Sequence, residues 1–70
     1  MKFNSAKTIE LNGYNARTAS QWGSHANAML FAGQHGSATI VHPNGSAVRL
    51  FMDRGRIRKR RFKNVRITTT

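Results

Sequence analysis

The sequence has no cysteine, a single proline and only two acidic residues, Glu10 and Asp53. Zero cysteine excludes disulfides and every thiolate zinc site. It also fits a reducing, intracellular setting, so the cytoplasm is the expected compartment. Two carboxylates nearly exclude a paired-carboxylate hydrolase and a carboxylate-built metal cage. No apolar run approaches the roughly 20 residues of a transmembrane helix. Met1-Lys2 leads into a polar mixture rather than an apolar stretch, so no secretory signal is expected. Zinc-finger spacings, the aromatic motifs of RNA-recognition domains and GxGxxG are all missing, and no cofactor or metal is expected.

What is present is one small, basic domain. Seventy residues make a second domain implausible. A chain this short buries only about 60% of its unfolded surface and is marginal without help. With disulfides excluded, a homo-oligomer or a bound partner is the remaining source of added stability. Hydrophobic residues at 39% suffice for a small core.

Twelve Lys and Arg give a formal net charge of +10, and the excess is local. Arg54, Arg56, Arg58, Lys59, Arg60, Arg61, Lys63 and Arg66 fall within residues 54–66, whereas residues 1–53 are close to neutral. Cations packed this densely repel one another and call for a polyanion. Arginine predominates, which suits bidentate phosphate contacts and stacking on bases.

Alternation of Phe3, Ile9 and Leu11 predicts a strand over 3–11, and Asn12-Gly13 predicts a hairpin returning through Tyr14 and Ala16. Thr18 and Gln21 form a capping-box pair. Ala19, Trp22, Ala26, Met29 and Leu30 recur at helical spacing, with Gly33 placed as the terminating glycine. A helix over 18–32 follows, with a loop at Gly23 and a strand at Ala28–Ala32 as the alternative. Strands are expected at Ser37–His42, at Ala47–Met52 after the Pro43-Asn44-Gly45 turn, and at Arg56–Phe62 after Asp53-Arg54-Gly55. Neither face of the last is apolar, which makes it an edge strand or protruding ribbon. Val65 and Ile67 suit one more short strand. The sum is an α+β fold, ββαβββ-like, with a small antiparallel sheet of 4–5 strands and one helix. A small β-barrel is the alternative.

The predicted binding residues are Arg49, Arg54, Arg56, Arg58, Lys59, Arg60, Arg61, Lys63 and Arg66, with Phe51 and Phe62 as stacking rings. A core role for each ring is the plainer alternative. If six cations reach phosphates, affinity for duplex DNA should fall with log[salt] at a slope of roughly −5. RNA or single strands are favoured narrowly over duplex DNA.

His25, His35 and His42 match no common ligand spacing and read as polar loop histidines. Gly33-Gln34-His35-Gly36 lacks the strand–loop–helix setting of a phosphate cradle, and Trp22 reads as the anchor of the helix in the core. Asn12-Gly13-Tyr14 with Gly23-Ser24-His25 is faintly similar to the HicA-type messenger-RNA-cleaving toxins, and that likeness implies His25 as a catalytic residue. The helix which that family places before its Asn-Gly has no room here, and no helical tail follows.

Three functions are therefore expected in order. The first is a non-enzymatic nucleic-acid-binding protein. The second is a small inhibitor or adaptor, of the kind phage and mobile elements carry, docking on an acidic surface of a larger protein. The third is a His-dependent RNase. A membrane role ranks last, because the basic run has no apolar face to insert.

Overall fold

The computed structural model describes residues 8–69. The elements are β1 (Thr8–Leu11), β2 (Ala16–Thr18), α1 (Ala19–Trp22), α2 (His25–His35), β3 (Ser37–Val41), β4 (Ala47–Asp53), β5 (Arg56–Phe62) and β6 (Arg66–Thr69). They make an α+β fold with a four-stranded sheet in the order β2-β3-β4-β5 and a separate two-stranded sheet, β1-β6. Neither sheet closes into a barrel. The two pairings within β3–β4–β5 are antiparallel, as expected, but β2–β3 and β1–β6 are parallel. The larger sheet is thus mixed rather than antiparallel.

The predicted hairpin at Asn12-Gly13 does not form. The chain turns there, yet β1 and β2 belong to different sheets. The Asn12 side chain explains the turn: its Oδ1 accepts from the backbone N–H groups of Tyr14, Asn15 and Ala16 at 2.8, 3.1 and 3.3 Å. Those donors are satisfied locally and need no ladder opposite β1. β2 instead joins β3 in parallel, and the helices between them supply the crossover that a parallel pair requires. Ile9 and Leu11 turn inward as predicted. Phe3, assigned to the same strand, lies outside the described residues.

The single helix predicted over 18–32 is two helices. The capping box at Thr18 forms as read, with both reciprocal hydrogen bonds. One turn later Gly23 adopts φ +87° and ends α1, and the Ser24 Oγ accepts from Asn27 N–H to start α2. A side chain at Gly23 would be strained by its left-handed backbone and would press on Asn27 Nδ2. That amide donates to the Trp22 carbonyl at 3.0 Å and so caps the end of α1. Gly33 does not terminate α2. The helix continues to His35, and Gly36, at φ +100°, donates its N–H to the Ala32 carbonyl.

The break also resets the helical phase. Counted from Trp22, the stripe Ala26, Met29, Leu30 should face inward. Instead Leu30 is 65% and Met29 38% exposed, while Ala28 and Ala32 are fully buried. Small side chains at these positions let α2 lie close on the sheet. The core between them contains Trp22, Ala28, Ala32, Ala38, Ile40 and Leu50, with Phe31, Val48 and Ile57 packed at its margin. A second cluster sits on the other side of the sheet, where Ile9 and Val65 meet Ala16, Val41 and Ala47. The β1–β6 ribbon thus covers one end of that second face, and the rest carries no covering element among the described residues.

Candidate nucleic-acid interface

The basic run enters the structure as the edge strand β5, as its composition predicted. Its antiparallel register with β4 pairs Ala47 with Phe62, Arg49 with Arg60, Phe51 with Arg58 and Asp53 with Arg56. Residues paired in this way share a face of the sheet. Arg49, Arg56, Arg58, Arg60, Phe51 and Phe62 therefore lie together on the face away from the helices. The alternate residues, Lys59 and Arg61, lie on the helix side, opposite Leu50 and Val48. Arg54 is in the turn, Lys63 follows β5, and Arg66 pairs with Thr8 in the other sheet. Period two thus divides one linear charge run among several surfaces.

On the open face Arg49 stands directly opposite Arg60. Like charges in register destabilise a strand pair. A notch of about 350 Å³ on this face is lined by Ser37, Arg49, Phe51 and Arg60. Phe51 is half-buried there and joins neither core cluster, so its ring is a wall of the notch. Phe62 packs against the second core cluster, and the Arg49 guanidinium lies 5.7 Å from its ring centroid. The core reading thus holds in part for Phe62, which packs on that cluster while half-buried, whereas Phe51 joins neither cluster. Asp53 approaches Arg58 at 3.5 Å, with side chains 45% and 61% exposed. Such a pair contributes about 0–1 kcal/mol and leaves the face strongly cationic.

The turn that joins the strands contains Arg54 at φ +55° and Gly55 at φ +81°. Two positive φ values are the geometry of a two-residue hairpin turn that favours Asn-Gly. Arginine in the left-handed region costs roughly 1–2 kcal/mol. Arg54→Asn should accordingly raise the melting temperature by about 4–8 °C per kcal/mol recovered. Arg54→Gln, which removes the charge but keeps the strained backbone, should raise it less. Equal melting temperatures for the two variants would show that charge, not backbone geometry, governs this position.

Arg17, outside the basic run, is committed to the fold. Its guanidinium lies 4.4 Å from the Trp22 ring centroid and 5.3 Å from that of Phe31, and its Nε donates to the Gly13 carbonyl. Tyr14 and His35 extend this cluster, with the Tyr14 hydroxyl 3.2 Å from His35 Nδ1. His25 and His42 line a cleft with Trp22 and Ile40 that has no Lys or Arg in its lining. Among the described residues no group of three His, Asp or Glu is placed to hold a metal ion. No helix among them is long and apolar enough to cross a membrane.

Sequence reasoning missed Ser37, which faces the notch from β3, and a polar cavity beside it that includes Glu10, Asn15 and Thr39. Neither carries a local sequence signal, because both depend on which strands become neighbours. The chain matches no protein-family model, no curated protein and no solved structure.

Proposed function

We propose that this protein is a non-enzymatic intracellular nucleic-acid-binding module that holds a single strand, RNA foremost, on the open face of β4 and β5. One observation supports the reading above the others: Arg49 and Arg60 are paired in register, and both line one notch together with Phe51. A phosphate between the guanidiniums relieves their repulsion and accepts charge-assisted hydrogen bonds. A base can then stack on the exposed part of the ring, an interaction open to unpaired bases and closed to stacked duplex ones.

On this reading five cations contact phosphates, Arg49, Arg56, Arg58 and Arg60 from the face and Arg54 from the turn. Binding to a short oligouridine should then weaken with log[salt] at a slope of about −3 to −4. The measurement is fluorescence anisotropy between about 50 and 200 mM salt, alongside oligothymidine and a short duplex. Phe51→Ala should lower single-strand affinity by about 1–3 kcal/mol and leave the slope unchanged. A slope near zero, or a duplex bound more tightly than the single strand, would overturn the reading.

A further inference from the structure

A second cavity, of about 320 Å³ and polar in its lining, adjoins the arginine face. Strand β1 forms one wall through Thr8 and Glu10, while Asn15, Ser37, Thr39 and Arg49 line the remainder. Ser37 and Arg49 also line the notch beside Phe51, so the two spaces adjoin.

Glu10 is the anomaly. It is one of two acidic residues in the chain and stands at the edge of a face built to attract phosphate. It makes no ion pair with the described residues. A carboxylate there repels phosphate, so what it can recognise in a nucleic acid is a donor, either a single ribose hydroxyl or the N–H groups of a base. It offers two acceptor oxygens side by side. Among the RNA bases, guanine alone presents two adjacent donors on its Watson–Crick edge, N1–H and the N2 amino group. Asn15 adds a donor: its Oδ1 is occupied by Asn12 Nδ2 at 3.1 Å, and its own amino group makes no hydrogen bond among the described residues. The guanine O6 beside N1–H is the acceptor such a donor suits.

We infer that this cavity takes one unpaired guanine of a single strand, with Glu10 accepting from N1–H and the N2 amino group. The neighbouring base stacks on Phe51, and the intervening phosphate lies between Arg49 and Arg60. The inference rests on the proposed single-strand reading and adds base specificity to it.

The test compares oligouridine with the same oligomer carrying one central guanosine, inosine or adenosine. Guanosine should tighten binding by about tenfold, in keeping with a bidentate base contact. Inosine, which lacks the N2 amino group, should lose most of that gain, and adenosine should show none. Free GMP should compete poorly, since it brings neither the stacked neighbour nor the further phosphates. Glu10→Gln should abolish the guanosine preference while binding oligouridine at least as tightly as the parent protein, because a repulsive charge is gone. Circular dichroism would confirm that this exposed-site variant remains folded. Oligouridine binding without a guanosine preference would overturn the guanine site alone. A preference that survives in Glu10→Gln, or GMP binding as tight as the oligomer, would do the same. Failure to bind any oligomer would overturn the single-strand reading beneath it.

Discussion

Trp22→Ala is expected to leave the protein largely unfolded at room temperature. Trp22 is 5% exposed and is the largest side chain of the core beneath α2. Its Nε1 donates to the Thr39 carbonyl at 2.9 Å, its face receives the Arg17 guanidinium, and Phe31 packs edge-on against it. Truncating a buried aromatic to alanine typically costs about 3–5 kcal/mol, and the lost Nε1 hydrogen bond adds about 0.5–1.5 more. Typical stability per residue gives a domain of this size only about 3.5–10 kcal/mol in total. The loss therefore consumes most or all of the margin. Trp22→Phe keeps an aromatic ring, gives up the hydrogen bond and should remain folded with a lower urea midpoint. A Trp22→Ala protein that unfolds cooperatively near the parent midpoint would place the stability of the domain elsewhere.

The second large effect concerns the open face. Replacing Arg49, Arg58 and Arg60 together with glutamine should flatten the salt slope for single-stranded RNA by about 2. Extrapolated from 1 M salt, where such contacts contribute little, that corresponds to about a hundredfold weaker binding at 100 mM. The matched triple variant Lys59→Gln, Arg61→Gln, Lys63→Gln removes the same charge from positions off that face and should lose far less. Equal losses would mean that the protein attracts RNA by overall charge and that the sheet face has no special part. Thermal stability should move the opposite way to affinity in the first triple, because the Arg49–Arg60 repulsion in register is relieved.

Period-two signals were legible wherever one strand decided its own faces. β4 turns Leu50 into the core and Arg49 and Phe51 to the open side, as period two in a strand over Ala47–Met52 requires, and β5 is the edge strand its charges required. The capping box at Thr18 and the burial of Trp22 were equally local. What failed was whatever depended on phase carried past a break or on distant partners. Gly23 rotated the apolar stripe of α2 to the outside, so Met29 and Leu30 were assigned to a core they do not enter. Asn12 absorbed the donors that a hairpin would have used, and its two flanking strands found partners far along the chain. The candidate site divides likewise. Its cations could be read from the sequence, and the placement of Ser37 and Glu10 beside them could not, since it follows from sheet order.

The pairing of β1 with β6 has a consequence for folding order. These strands are joined through nearly the whole described chain, so their contact is the longest loop the fold must close. Long-range closure slows folding, and on a ribosome β6 emerges last of the described strands. The helix-backed sheet can therefore assemble before the β1 wall is fastened, and the wall, four residues per strand, is the part most easily released again. Amide exchange should show β1 and β6 opening together, faster than β3 and β4. The pocket beside Arg49 would then open on the timescale of a local unfolding event, and a single strand bound as proposed would have a route in and out that leaves the main sheet intact.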